Sequence, residues 1–283
     1  MPYTIENLLQ LNVLDSEDIS DVKNYTLCAS RPDLILKDGS IRRQVPIFSP
    51  LEESHKHRWQ YKDFDYRISE LGFRDNDLVD HVELAAFGCS YTFGTGLPED
   101  KLWHKHLAKS KGCSTYNFGL PGASIKTISD VFCIVANNIK IEKAVVLFPS
   151  YMRTLIAAKH TENQSIKMLG LLPQYHLPMR ENYNVEHDMI YKYIPEAEFI
   201  RKMKDEIYLI ENFAKQKNIE LYISSWDLPT YELLKTLKKK YMVLLDQWTS
   251  PDAVKDDFAR DTMHPGMMHH AYWADKIQQQ VFH

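Results

Sequence analysis

From about residue 83 onward, continuous apolar runs alternate with stretches whose apolar residues recur every three or four positions. Strands are expected at Leu84–Phe87, Tyr116–Phe118, Ala144–Phe148, Ile219–Ile223 and Tyr241–Leu245; Asn117 and Glu220 interrupt the second and fourth, and Ala144–Phe148 is apolar throughout. The periodic stretches have helix spacing. Ile125, Ile128, Phe132, Val135 and Ile139 share one face, as do Phe199, Met203, Ile207, Ile210 and Ala214. Further helices are expected over Glu99–Lys109, over Tyr231–Lys239, and from near Pro265 to about Gln279. Pro98 and two acids open the first of these, as a helix N-terminus prefers.

Strands that alternate with helices pair in parallel through crossovers and give three layers. Strands that are apolar throughout are buried on both faces. Such sheets carry their sites at the carboxyl ends of the strands. Ser90, Gly119 to Gly122 and Ser150 all follow expected strand ends and should share that edge.

Two regions break the rhythm. Residues 1–80 hold prolines at Pro32, Pro46 and Pro50 and aromatics at Trp59, Tyr61, Phe64 and Tyr66. They read as an N-terminal extension or small cap on a main domain over 81–283. Residues 152–195, with Pro173, Pro178 and Pro195, read as an irregular insertion.

Composition narrows the function classes. The chain has 283 residues, 44% hydrophobic and 25% charged, which is ordinary for a globular protein. A net charge of −4 gives no basic footprint for nucleic acid. The one dense basic run, Lys235 with Lys238, Lys239 and Lys240, reads as a solvated helix end. No basic segment followed by a long apolar one opens the chain, so no secretory signal is read. No run reaches the roughly 18 to 20 apolar residues of a membrane span. Cys28, Cys89, Cys113 and Cys133 form no CxxC pair and suit reduced thiols. A soluble, cytoplasmic protein is expected.

The segment Phe87-Gly88-Cys89-Ser90-Tyr91-Thr92-Phe93-Gly94 places a serine between glycines where a strand hands over to a helix. A serine hydroxyl is a weak nucleophile that needs a base, an acid to orient the base, and oxyanion donors. Asp261-Thr262-Met263-His264-Pro265, ahead of the last expected helix, offers His264 as base and Asp261 as acid. Plainer readings stand beside this one. Ser90 could be a turn residue, Asp261 a helix cap, and Gly119 and Gly122 shapers of a turn. His269 and His270 read as packing or surface residues rather than metal ligands.

Three segments resemble blocks of the GDSL, or SGNH, hydrolases. Gly88–Gly94 is similar to the first block, with Cys89 where the namesake aspartate often stands. Asn117-Phe118-Gly119-Leu120-Pro121-Gly122 looks like the second, and Asp261–Pro265 like the fifth. Leu71-Gly72-Phe73-Arg74 resembles a lead-in found in some carbohydrate-esterase members. The resemblance implies a flavodoxin-like α/β/α sandwich of about five parallel strands. It implies a nucleophile Ser90, a base His264 and an orienting acid Asp261. The oxyanion donors would be the backbone N–H groups of Ser90 and Gly122.

The third block departs: Phe148-Pro149-Ser150-Tyr151-Met152-Arg153 lacks the family's asparagine. Ser150 is a candidate further donor, and Tyr91, Asn117 and Arg153 are candidate substrate contacts. By the same resemblance the expected activity is removal of O-acetyl groups from carbohydrate through an acyl-enzyme. No metal or organic cofactor is implied. Acyl transfer, lipase or thioesterase action on the same fold, and an inactive carbohydrate-binding or structural protein, are the alternatives. Soluble proteins of this kind occur in bacteria and in phages, where surface polysaccharide is a target.

Overall fold

The computed structural model describes residues 64–69, 72–76, 80–159, 166–171, 193–238, 240–248, 257–260 and 264–282, with two short strands at 13–14 and 44–46. The strands in chain order are β1 (Val13–Leu14), β2 (Gln44–Pro46), β3 (Asp65–Arg67), β4 (His81–Gly88) and β5 (Thr115–Gly119). They continue as β6 (Lys140–Phe148), β7 (Thr154–Lys159), β8 (Ile166–Leu171), β9 (Glu220–Ser225) and β10 (Met242–Leu244). The helices are α1 (Ser90–Phe93), α2 (Trp103–Lys111), α3 (Ile125–Asn138), α4 (Glu196–Lys217), α5 (Leu228–Thr236) and α6 (Met267–Val281).

Five strands form one parallel sheet in the order β10-β9-β6-β4-β5. Numbered by appearance from the β5 edge, this is the doubly wound order 2-1-3-4-5. The order reverses between β4 and β6, where Gly88 lies opposite Leu147. A crevice opens at that reversal, at the carboxyl ends of the two strands.

Burial on both faces explains the apolar runs. Ala85, Phe87, Val146 and Phe148 face a core layer with Ile125, Ile128 and Phe132 of α3 and Phe199, Met203 and Ile207 of α4. Their neighbours Leu84, Ala86, Val145 and Leu147 face the other layer, with Trp103 and Leu107 of α2 and Trp273 and Ile277 of α6. Helices α3 and α4 pack together on one side, and α2 and α6 on the other. The sandwich expected from the alternation is therefore present.

Several boundaries differ from the periodic reading, for local reasons. Glu99–Lys101 form a 3-10 turn and Leu102 is extended at φ −78°, ψ 145°, so α2 begins at Trp103. Pro265 bridges Phe258 and Gly266 is the N-cap of α6, which delays that helix to Met267. Helix α5 starts early, because Asp227 accepts a hydrogen bond from the Thr230 N–H at 3.0 Å and caps it. It ends at Thr236, ahead of the basic run.

Residues 152–195, read as irregular, carry the antiparallel pair β7–β8, and β8 also pairs with β1. The described part of residues 1–80 joins the main core. Tyr66, Ile68, Phe73 and Arg74 are all buried. Phe73 meets Phe118 edge-on at 5.0 Å.

Candidate active site

The strand β4 ends at Gly88, and the chain turns at once into the single helical turn α1. A Cβ at Gly88 would lie 2.2 Å from Thr92 Oγ1, so the tight turn requires glycine. Cys89 is the N-cap, and Gly94 closes the turn at φ 77° with its N–H on Ser90 O at 2.8 Å. Ser90 is the first helical residue and is 7% exposed. The Thr92 and Phe93 N–H groups both donate to Cys89 O, at 3.1 and 2.9 Å, and close the turn on which Ser90 sits.

His264 arrives from the opposite side of the crevice. Its loop is held by the Phe258–Pro265 bridge, by Ala259 N–H on His264 O at 2.8 Å and by Gly266 N–H on Asp257 O at 2.9 Å. His264 Nε2 lies 2.8 Å from Ser90 Oγ. Arg260 N–H donates to Gly96 O at 3.0 Å and links this loop to the loop after α1. Ser90 and His264, the expected nucleophile and base, are 174 positions apart in sequence and in hydrogen-bond contact. The expected acid, Asp261, lies outside the described residues.

Residues from the N-terminal segment brace the turn. Arg74 is fully buried, and its guanidinium donates to the carbonyls of Phe93 at 3.0 Å, Gly94 and Leu97. It also lies 4.4 Å from the centre of the Tyr66 ring, whose hydroxyl accepts from Gly96 N–H at 2.7 Å. Asp75 accepts from Asn117 N–H at 2.9 Å and pairs with Lys105 at 2.9 Å. Burial raises the Asp75 carboxyl above its usual range, while Lys105 opposes the rise. No local pattern marks Arg74 as a brace. Only its place in the lead-in resemblance draws notice to it.

The other candidate residues fall into distinct positions. Asn117 is fully buried: its amide donates to Thr92 O at 3.1 Å and its oxygen accepts from Gly119 N–H at 2.9 Å. That side chain ties β5 to α1 and has no surface left for a substrate, contrary to the expectation from sequence. Gly119 permits the contact, since a Cβ there would lie 2.4 Å from Phe93 N. Gly122 is exposed at φ 77°, in the turn that leads to α3. Ser150 follows β6 and is nearly buried; its Oγ accepts from Met152 N–H at 3.4 Å.

Tyr91 stacks on Trp226 with ring centres 4.7 Å apart and meets the His264 ring edge-on at 5.7 Å. Trp226 Nε1 donates to Cys89 Sγ at 3.3 Å, and the Arg153 guanidinium lies 5.1 Å from the Trp226 ring centre. From the sequence Trp226 reads, with Trp103, Trp248 and Trp273, as a core or rim residue and not as part of a site. Its place directly after β9, on the carboxyl edge, is the signal that could have found it. Cys89 is buried, as a small core residue would be. His270 is buried, with Nδ1 accepting from Trp103 N–H at 3.2 Å, and His269 packs on Trp248. Both are packing residues. Among the described residues no group of three or more His, Cys, Asp or Glu converges to hold a metal, and no helix there is long and apolar enough to cross a membrane.

No known protein-family profile matches the chain, and no curated protein matches it. Solved structures do. A member of the lipolytic protein G-D-S-L family from Veillonella parvula is 14% identical, with TM-score 0.44, covering 71% of this chain and 97% of its own. The psychrotrophic esterase EstA from Pseudoalteromonas sp. is 9% identical, with TM-score 0.43, covering 72% and 100%. A family 3 carbohydrate esterase from Clostridium thermocellum is 12% identical, with TM-score 0.42, covering 70% and 94%. At these identities and scores nothing of their chemistry carries over to this chain. The family that the three sequence blocks resemble is also the family of the Veillonella structure.

Proposed function

We propose that this chain is a serine esterase of SGNH type that removes short acyl groups, foremost acetyl, from carbohydrate. The observation that carries the reading is the 2.8 Å contact between Ser90 Oγ and His264 Nε2 at the carboxyl edge of the sheet. For Nε2 to accept the serine proton, the imidazole must carry its own proton on Nδ1. Asp261, three residues before His264, is the group proposed to hold that tautomer.

In this reading Ser90 Oγ attacks the ester carbonyl as its proton passes to His264 Nε2. The tetrahedral oxyanion is held by the backbone N–H groups of Ser90 and Gly122. Ser150 is the proposed third donor. Its oxygen already accepts from Met152 N–H, which leaves its own hydrogen for the oxyanion. The C–O bond to the alcohol then breaks, and His264 returns its proton to the leaving oxygen. Water, deprotonated by His264, releases the acyl group from Ser90 in the same manner. The Tyr91–Trp226 stack forms an apolar wall beside the base. A wall of this kind suits the flat face of a sugar ring better than a flexible chain.

The test is turnover of 4-nitrophenyl acetate by the wild type and by Ser90→Ala. A loss of about 10⁴-fold or more is expected, as for removal of a triad member elsewhere. A fluorophosphonate should label Ser90 in the wild type only. Equal turnover, or labelling of the alanine variant, would remove the assignment.

A further inference from the structure

Where the turn after β6 meets the first turns of α3 and α4 lies a cavity of about 250 Å³. Its walls include Arg153, Lys126, Lys202 and Glu206 around Ile125 and Phe199. It is flanked by the turn after β6, where Arg153 N–H bonds Ser150 O at 2.9 Å, and by the start of α3, three residues after Gly122. It therefore lies next to the segments that carry the proposed oxyanion donors Gly122 and Ser150. The Arg153 guanidinium lies against Trp226, and Trp226 against Tyr91, the residue after the nucleophile.

The charges around the cavity are unequal in how far they are committed. Lys126 is paired with Asp130, and Lys202 stands 3.9 Å from Glu198. Arg153 Nη1 is buried and has no hydrogen-bond partner among the described residues. A buried guanidinium N–H without an acceptor is costly, and an incoming acceptor removes that cost. Glu206 is the one carboxyl in the wall, and burial raises it above its ordinary range.

We propose that this cavity binds a carboxylate on the alcohol side of the ester, so that the substrate is an acetylated acidic sugar. The proposal rests on the esterase reading given above. A planar carboxylate matches the guanidinium fork in two parallel hydrogen bonds. A doubly charged phosphate would meet Glu206 with greater repulsion. The volume lies below the roughly 300–1,000 Å³ of sites for drug-sized ligands, which suits one charged ring substituent and not a long chain.

The experiment compares acetylated glucuronic acid with acetylated glucuronamide, which differ only in the carboxylate, by release of acetate. The wild type should prefer the acid by about tenfold or more in kcat/KM, the size of one charged hydrogen-bond pair. Arg153→Gln should bring the ratio close to one, and Lys202→Gln, at an exposed position, should lower it in part. Equal use of acid and amide by the wild type would overturn the proposal, as would an unchanged ratio in Arg153→Gln. Preference for acetylated glucose 6-phosphate over the glucuronate would overturn the choice of carboxylate. If neither sugar loses acetate, the esterase reading fails separately, and binding of free glucuronate judges the cavity. Quenching of tryptophan fluorescence in the wild type that is lost in Arg153→Gln supports it; no quenching in the wild type rejects it.

Discussion

After β4 the chain turns through Ser90 to Leu97, with three carbonyls gripped by the buried Arg74 and a glycine wherever a side chain would collide. After β6, the next strand in the sheet, it turns through Ser150 to Arg153, with a guanidinium that rests on an indole and keeps an unpaired N–H. In the first turn the carbonyls of Phe93, Gly94 and Leu97 are committed to the protein itself, while the Thr95 hydroxyl is buried without a hydrogen-bond partner among the described residues. In the second, a buried donor is left for something else. For Ser90 to act as the proposed nucleophile it must be placed to a fraction of an ångström, which a braced turn provides. For Arg153 to meet substrate as proposed it must keep hydrogen-bonding capacity, so its turn cannot be saturated in the same way.

The contrast is broken most strongly at Arg74. Arg74→Met keeps the bulk but removes the guanidinium's donations to Phe93, Gly94 and Leu97. A loss of about 3 kcal/mol or more is expected in urea unfolding, with a further fall in kcat as Ser90 loses its placement. If Arg74→Met unfolds like the wild type, the first turn is not held as described. Arg153→Gln, by comparison, should unfold within about 0.5 kcal/mol of the wild type, as substitutions away from structural features do.

A second effect separates the layer beneath the first turn from the rest of the molecule. His104 and His270 are buried against each other's surroundings in the α2–α6 layer. Burial, with the positive charge of Lys105 beside His104 and with His269 beside His270, holds both well below the ordinary imidazole pKa. Above about pH 6.5 both are neutral, folded or unfolded, and stability is intact. Below it the unfolded chain takes up protons that the folded chain refuses, so stability falls as pH falls. The slope approaches about 1.4 kcal/mol per pH unit for each histidine. The transition temperature should be level from pH 8 to 7 and decline below 6.5; His270→Gln should flatten part of that decline. A transition temperature that stays level down to pH 5 would contradict the buried, neutral assignment.

The smallest effect concerns the second turn. Thr230 Oγ1 accepts from Tyr151 N–H at 2.8 Å and donates to Asp227 at 2.7 Å. Thr230→Val removes both bonds and should cost about 1–2 kcal/mol, with KM altered more than kcat if the turn bears the proposed substrate contact and not the proposed nucleophile. A kcat loss as large as that of Arg74→Met would erase the distinction between the turns.

Much of the fold could be read from the chain because the central strands carry apolar runs, as Ala144–Phe148 does, and the helices carry apolar residues at spacings of three and four. The Ser90–His264 pair was legible for a different reason: each sits in a short block with a recognisable residue order. Arg74, Asp75 and Trp226 were not, since their partners lie 19 to 137 positions away and nothing in their neighbours signals the contact. Asn117 was misread because an amide in a block near the serine looks like a ligand for substrate. Its real partners are backbone atoms across a turn. The β7–β8 pair escaped notice because it carries no tight hairpin signal, and the other partner of β8, Val13–Leu14, is far away in sequence.

The bond from Arg260 N–H to Gly96 O joins the loop that carries the base to the loop that follows the nucleophile. It makes the two loops one opening unit. A fluctuation that releases either loop withdraws the imidazole and disturbs the serine in the same event. If Ser90 and His264 act as proposed, competence is gained and lost together with that contact.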